Sequence, residues 1–168
     1  MKFCTFDNIL SDAFDADFCS GIIDDTKFLK AGNDGVDVSG ANITINRIEF
    51  DGIKDKALSA GEDSKMRVNG AKITNTELGV TSKDKSVLTI NNIIMENTKL
   101  AYTAFEKKPE FGAGKIIVTN STITGTNEVK YLIEEGSLMT LDGNTIESAG
   151  EAVKKILYGV KFGEASKR

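Results

Sequence analysis

The sequence predicts an all-β fold, a single-stranded parallel β-helix in which the chain winds as a solenoid of stacked coils. Three observations predict it. Apolar residues recur about every 22 positions, a second apolar column follows the same offsets, and the short runs between them alternate apolar and polar residues. A fixed period of roughly 20 to 50 residues is typical of repeat architectures. Alternation with a period of two is typical of strands that bury one face.

Equivalent residues of successive coils define the repeat. The first column contains Phe6, Phe28, Phe50, Ile73, Met95, Ile123 and Ile146. The second contains Ile23, Ile45, Val68, Ile90, Val118 and Leu141. The third contains Phe14, Val36, Leu58, Val80, Tyr102 and Tyr131. The steps along the first column are 22, 22, 23, 22, 28 and 23 residues, and the second column repeats the last five of them.

The repeat also predicts the winding. Because equivalent residues are a whole repeat apart, strands of neighbouring coils must pair in parallel, at a spacing of about 4.8 Å. Parallel crossovers are right-handed by strong preference, so we expect a right-handed winding with three strands per coil and about seven coils. Gly and Asn tolerate the left-handed conformation of a sharp corner, which predicts one fixed bend per coil. The corner column is Lys30, Gly52, Asn75, Asn97 and Gly125.

We expect one domain over residues 1–168. The predicted coils lie near 1–20, 21–41, 42–64, 65–86, 87–114, 115–137 and 138–168. Residues 151–158, at the end of the chain, are consistent with either a last coil or a short capping helix.

The single 28-residue step places an inserted loop at 105–114, which contains the only proline of the chain. An insertion into a solenoid bulges from a corner, and binding sites favour such loops. Phe105, Lys107, Lys108 and Phe111 are therefore candidate binding residues. The alternative is that the two phenylalanines only shield a hydrophobic seam.

Three segments, 42–46, 65–69 and 87–91, each lead to a turn and to a step such as Leu78-Gly79-Val80. They resemble the repeats of the pectate-lyase-like right-handed β-helix superfamily. Residues 33–40 and the inserted loop also resemble a β-helix module of large bacterial surface or cell-wall-associated proteins. The resemblance covers nearly the whole chain and implies the fold. It does not imply one function, because the superfamily includes lyases, hydrolases, adhesins and inert stalks.

Composition limits the function classes. A net charge of −4 and a pI near 5.0 argue against nucleic acid as a partner, because binding phosphates requires clustered Lys and Arg. No apolar run approaches the roughly 18 residues of a membrane-spanning helix, and no signal peptide is visible at the N-terminus. The chain has no histidine, which removes the commonest general base and metal ligand.

Two pairs of aspartates obey the repeat and form a candidate metal site. Asp12 with Asp34, and Asp15 with Asp37, are each 22 residues apart, so each pair stacks at about 5 Å on adjacent coils. Ca²⁺ would relieve the repulsion between them. The alternative is that Asp12 and Asp34 accept hydrogen bonds from backbone amides at turns while Asp15 and Asp37 stay solvated.

Lys56 is the weak candidate for a catalytic residue. The resemblance implies this role, because pectate lyases combine an acidic calcium site with an Arg or Lys that abstracts a proton. Lys56 takes the place of Asp34 one coil further on. The simplest alternative is a salt bridge between the two. Paired aspartates could also divide the acid and base roles of an inverting hydrolase.

Two polar columns complete the candidate surfaces. Ser59, Thr81 and Thr103 continue the outward column of Asp15 and Asp37, and we expect them to form a solvated sheet face. Asn46, Asn69 and Asn91 form a second column, which predicts a stabilising amide ladder if these side chains point inward at a corner.

The predicted function is a non-catalytic structural or carbohydrate- or ligand-presenting module, part of a larger chain outside the cell or at its surface. No cofactor is required, and Ca²⁺ is the candidate ion. The repeat is already running at Phe6, which leaves strand edges exposed and predicts a homo-oligomer through the coil ends. One alternative is a polysaccharide lyase or hydrolase that uses the N-terminal aspartates. Another is a β-helix unit that assembles end to end.

Overall fold

The computed structural model of the chain describes residues 1–125, 129–148, 150, 153–159 and 162. The other parts of the predicted sixth and last coils lie outside the described residues. Within the described residues, the strands are β1 (Thr5–Ile9), β2 (Phe14–Asp17), β3 (Ser20–Ala31), β4 (Val36–Ser39), β5 (Asn42–Asp51), β6 (Lys56–Gly61), β7 (Lys65–Thr74), β8 (Leu78–Lys83), β9 (Val87–Glu96), β10 (Leu100–Phe105), β11 (Lys115–Thr124), β12 (Val129–Ile133), β13 (Leu138–Leu141) and β14 (Asn144–Ile146). The described part of the chain also contains a helix, α1, which spans Val153–Leu157.

The described strands form two sheets. The eight-stranded sheet has the order β1-β3-β5-β7-β9-β11-β13-β14, and the six-stranded sheet has the order β12-β10-β8-β6-β4-β2. The first six coils therefore each contribute one strand to each sheet, which is the topology of a solenoid, while β13 and β14 both join the eight-stranded sheet. The pairings are parallel except that between β13 and β14. The predicted all-β parallel β-helix is confirmed, with about six turns of ~22 residues.

The predicted columns are confirmed as the register of the sheets. Phe6 pairs with Phe28, and Phe28 with Phe50. Their rings stack with centroids 5.0 and 5.3 Å apart. The second column runs in register from Ile23 to Leu141, and the third follows the same rule along the six-stranded sheet. These inward side chains make up the main hydrophobic core.

The corners of the coil have left-handed backbone. The predicted corner column is confirmed, with φ of 54° at Lys30, 71° at Gly52 and 52° at Asn75. A second such column lies inside the long strands and includes Arg47 in β5, with φ 54°, and Gly70 in β7, with φ 84°. It divides each long strand into two segments, so each coil has three faces as predicted.

The last member of the first column was predicted wrongly. Ile146 pairs with Met139 in an antiparallel hairpin instead of stacking on Ile123. The chain reverses at Asp142 and Gly143, whose φ values are 49° and 80°. Consecutive left-handed residues of this type make a tight hairpin turn, so residues 138–146 of the predicted seventh coil form a hairpin.

The helix α1 follows the hairpin and lies along the side of the solenoid. Val153 and Leu157 are buried against Leu100, Phe105 and Leu132 on the outer side of the six-stranded sheet. Since these partners come from different coils, the helix does not lie across the coil end. We name residues 153–159 together with 162 the C-terminal cover. Of the two predictions for the chain end, residues 153–157 follow the helical one.

Candidate functional site

The C-terminal cover encloses a group of charged side chains on the outer side of the six-stranded sheet. We name Asp34, Asp37, Asp55, Lys56 and Lys83 the flank cluster. The Nζ atom of Lys56 lies 2.7 Å from Oδ2 of Asp55 and 3.4 Å from Oδ1 of Asp34. The Nζ atom of Lys83 lies 3.5 Å from Oδ1 of Asp37. The side chains of Lys56, Asp34 and Asp55 are at most 6% exposed.

The solenoid repeat itself positions the acidic residues. Asp12 Oδ1 accepts hydrogen bonds from the amide of Asp34 at 2.8 Å and from the side chain of Asn33 at 2.5 Å. One coil further on, Asp34 Oδ1 accepts a bond from the amide of Lys56 at 2.9 Å. Each carboxylate therefore satisfies a backbone donor one coil further on, at the turn that leads into the next strand of the six-stranded sheet. This is the turn role that the sequence offered as the alternative to metal binding.

Two carboxylates share one ammonium group at the centre of the flank cluster. Burial raises the pKa of Asp34 to about 7, although the ammonium of Lys56 acts in the opposite direction. Burial disfavours the charge of Lys56, but the carboxylates of Asp34 and Asp55 outweigh it and hold the pKa of Lys56 above its ordinary value. Lys56 is therefore a protonated structural cation at neutral pH, and the predicted salt bridge with Asp34 is present.

The cover and the inserted loop close over the cluster together. The ring of Tyr158 meets that of Phe105 edge-on, with centroids 6.2 Å apart. The Nζ atom of Lys107 lies 5.4 Å from the Tyr158 ring centroid, and Nζ of Lys154 donates to the carbonyl of Lys107 at 2.8 Å. Burial raises the pKa of Tyr158 to about 12.

The polar row that the sequence predicted to be solvated is buried. Ser59, Thr81 and Thr103 stand in register on three adjacent strands and are fully buried. Leu132 continues the row and packs against the cover. The prediction of a solvated face is wrong, because the three hydroxyl side chains are fully buried. Apolar residues of the same sheet, Leu78, Leu100, Phe105 and Leu132, pack against Val153, Leu157 and Phe162.

The four candidate residues of the inserted loop are not brought together. Phe105 is fully buried beneath the cover, whereas Phe111 is 37% exposed. The amides of Lys107 and Lys108 both donate to Oδ1 of Asp84, at 2.8 and 2.6 Å, so a buried carboxylate fixes the loop. Ligand binding by this loop stays a prediction.

The four candidate metal ligands lie in two rows. Asp15 pairs in register with Asp37 and is exposed, and burial together with the nearby Asp37 raises the pKa of Asp15. Asp12 and Asp34 already accept backbone hydrogen bonds. In the part of the chain that the structure describes, no group of three or more His, Cys, Asp or Glu residues is arranged to hold a metal ion. Calcium binding stays a prediction.

The asparagine column forms an amide ladder on the outer surface. Asn69 donates to Asn46 at 2.8 Å, and Asn46 donates to Asp24 at 2.6 Å. Each of these amides donates to the residue one coil earlier, and the last acceptor is a carboxylate. Satisfying polar groups at a corner in this way is a stabilising role.

Sequence reasoning missed three members of the enclosed group. Asp55 precedes Lys56 directly and could have been found as its neighbour. Lys83 lies two residues after Thr81 at the end of β8, so alternation places both on the same side of the sheet and could have found it. Tyr158 has no local signal, because it reaches the cluster only through the fold-back of the chain.

The observed stacking agrees with a known family. The family model described as the right handed beta helix region matches residues 1–146. The chain belongs to the right-handed β-helix family. No curated protein and no solved structure matches this β-helix significantly. Among the helices that the structure describes, none is long and apolar enough to cross a membrane.

Proposed function

We propose that this β-helix is a non-catalytic module, a structural scaffold that presents carbohydrate or other ligands on its outer faces. One observation carries the proposal: the acidic and basic residues that most resemble a catalytic group, Asp34, Asp55 and Lys56, are buried in mutual ion pairs beneath the C-terminal cover. A catalytic group must come within hydrogen-bond reach of its substrate. These three side chains are used inside the protein instead.

The protonation of Lys56 gives a second reason. A lysine that abstracts a proton needs a lowered pKa, which burial without a counter-charge produces. Asp34 and Asp55 act in the opposite direction on Lys56 and keep it charged. This arrangement favours a role in holding chain segments together over a role in proton transfer.

We place the module outside the cell or at its surface, as part of a larger chain. The support is the resemblance of residues 33–40 and of the inserted loop to β-helix modules of bacterial surface proteins. Polysaccharide is the partner class that this location and the fold favour.

The test is an activity assay on acidic and neutral polysaccharides. The chain is incubated with polygalacturonate with and without Ca²⁺, and unsaturated products are followed by ultraviolet absorbance. Reducing ends are measured in parallel on neutral glycans. We expect neither product. Turnover that Asp37→Asn abolishes, and that the matched exposed control Asp17→Asn retains, would contradict the proposal.

A polysaccharide lyase or hydrolase is the second candidate, and one observation favours it. Burial raises the pKa of Asp34 to about 7, the range in which a carboxyl group acts as a general acid near neutral pH. Asp37, with 25% of its side chain exposed, would be the member that meets a substrate. The same assay decides between the two functions.

End-to-end assembly is the third candidate. The first coil exposes large apolar side chains, Phe3 at 75%, Leu10 at 98% and Phe18 at 84%, and β1 and β2 are the outermost strands of their sheets at this end. Exposed strand edges pair readily with other chains. Sedimentation over a concentration series should then show a mass that rises in the wild type and less in Leu10→Ser; a constant mass would exclude this candidate.

A further inference from the structure

The first strand of the six-stranded sheet has a free edge. Within the described residues, β2 pairs with β4 on one side and with no strand on the other. Phe14 and Ala16 of β2 are only partly buried, whereas their partners Val36 and Val38 are fully buried. The difference arises because no described strand lies beyond β2. This edge therefore exposes both backbone hydrogen-bonding groups and side chains of the core.

Large apolar side chains precede and follow this edge in the chain. Leu10, in the connection between β1 and β2, is 98% exposed, and Phe18, directly after β2, is 84% exposed. Single exposed apolar residues are ordinary on a protein surface. Here they accompany an unpaired strand, which is a place where another extended segment can be added.

The outward side chains of β2 are acidic. Asp15 and Asp17 alternate with the two inward residues of the strand and are exposed, and Asp37 stands beside Asp15 on β4. Burial, together with the carboxylates of Asp37 and Asp17, raises the pKa of Asp15. The neighbouring charges therefore repel one another, and a cation beside them would relieve the repulsion.

The negative charge of the whole chain is concentrated at this end. Residues 1–41 contain eight aspartates and three lysines, a side-chain net charge of −5, whereas the whole chain has a net charge of −4. The rest of the chain thus has a small positive net charge. Because charge complementarity selects partners and accelerates their encounter, this end of the solenoid favours a basic partner.

A second copy of the chain fits the free edge of β2 poorly. Tyr131 is the last member of the column that begins at Phe14. A copy that continued this column onto β2 would therefore place its Glu134 beside Asp17. If the first coils of two copies met instead, aspartates would face aspartates. Like charges opposite one another destabilise a sheet.

We propose that the free edge of β2 binds an extended peptide in which apolar and basic residues alternate. The apolar side chains pack on Phe14 and Ala16, and the basic side chains stand beside Asp15 and Asp17. Side chains of neighbouring strands pair in this way within a sheet, and the backbone of the peptide supplies the missing hydrogen bonds. The inference goes beyond the proposed scaffold role and does not depend on carbohydrate binding.

The test uses a labelled peptide of alternating valine and lysine with the full chain. Binding is measured by fluorescence anisotropy, and amide hydrogen exchange of residues 14–17 reports where the peptide lies. We expect binding that slows exchange at this strand. A peptide of alternating valine and glutamate should not bind. Neither should a peptide with the same valines and lysines in two blocks, because only alternation matches the two sides of the edge.

Reversing the charge of the edge gives the sharpest variant. Asp15→Lys/Asp17→Lys should lose the lysine peptide and gain the glutamate peptide, a reversal that unfolding cannot produce. The milder Asp15→Asn/Asp17→Asn should raise the dissociation constant of the lysine peptide roughly three- to tenfold, the effect of two cross-strand ion pairs.

A matched control changes the net charge elsewhere. Glu96→Gln/Glu110→Gln removes two negative charges at exposed positions on β9 and in the inserted loop, and it should bind the lysine peptide as the wild type does. An equal loss of binding in this control would show attraction by net charge alone and would overturn the inference.

The remaining outcomes also overturn the inference. Absence of binding by the wild type does so, and so does equal binding of the alternating and blocked peptides. Binding that Asp15→Lys/Asp17→Lys leaves unchanged places the peptide on another surface. Sedimentation of the wild type covers the last case: self-association that Asp15→Lys/Asp17→Lys abolishes, and with which the lysine peptide does not compete, would make a second copy the occupant.

Discussion

The Nζ atom of Lys56 lies 2.7 Å from a carboxylate oxygen of Asp55, the residue before it, and both side chains are almost completely buried. Neighbours in sequence at the start of a strand usually point apart, but the bend before β6 turns both toward the C-terminal cover. This ion pair places charged groups where the first three coils meet the C-terminal cover. Several consequences for stability can be measured.

Gly79 marks a close approach between coils. A Cβ atom at this position would lie 2.6 Å from the carbonyl oxygen of Ala101 and 2.8 Å from Sδ of Met95. Because a backbone atom is involved, the clash cannot be relieved by a side-chain rotation alone. We expect Gly79→Ala to lower the free energy of unfolding by about 1–3 kcal/mol, the usual cost of overpacking. Urea denaturation measures it.

Gly21 supplies the matched control for Gly79. It lies in β3, and a Cβ atom there would meet nothing within 4 Å. Gly21→Ala should leave stability unchanged or raise it by up to about 1 kcal/mol, since alanine restricts the unfolded chain. Similar losses in both variants would argue against the tight contact between β8 and β10.

Asp34 makes stability depend on pH. Its folded pKa of about 7 exceeds the unfolded value of about 3.9, so between these values the folded chain holds a proton that the unfolded chain has released. The free energy of unfolding should therefore fall as the pH rises from about 4 to about 7, by at most about 1.4 kcal/mol per pH unit for one proton. Asp34→Asn should flatten this part of the curve; an identical slope in the variant would refute the assignment.

Calcium binding at Asp12, Asp15, Asp34 and Asp37 is tested by thermal unfolding. If an ion relieves the repulsion between Asp15 and Asp37, the melting temperature should rise with the logarithm of the Ca²⁺ concentration once that exceeds the dissociation constant. The double variant Asp15→Ala/Asp37→Ala should lose the rise, and Asp17→Ala should keep it. A shift that survives in the double variant would eliminate the predicted site.

The interior of the β-helix was predictable because it is encoded locally and repeatedly. Phe28 and Phe50 show their stacking through a shared spacing and through the alternation around them. Lys30 was predicted at a corner from the Gly and Asn residues that replace it in later coils. In a solenoid each coil contacts only its neighbours, so one period determines most contacts.

Sequence reasoning missed the features that lie where the repeat ends or where segments distant in sequence pack together. Ile146 was assigned to a column, although the dipeptide Asp142-Gly143 is a strong hairpin signal that ends the repeat. The burial of Thr81 could not be read from its strand, since alternation gives only the side of the sheet. Val153 and Leu157, which pack on the apolar residues of this sheet, come much later in the chain. Alternation along a strand predicts the side of the sheet to which a side chain points. It predicts solvent exposure only where no other segment packs on that side.

The central claim is that the charged residues of the flank cluster are buried and hold the structure together. Its most direct test compares the free energy of unfolding of Lys56→Met with that of Lys27→Met. Lys27 forms an ion pair of 2.8 Å with Glu49, but both side chains are 51% exposed. Removing one partner of a buried pair costs about 3–5 kcal/mol, and an exposed pair contributes about 0–1 kcal/mol. We therefore predict a loss of several kcal/mol for Lys56→Met and a loss below about 1 kcal/mol for Lys27→Met. Equal small losses in urea denaturation would show that Lys56 is solvated and would contradict the claim.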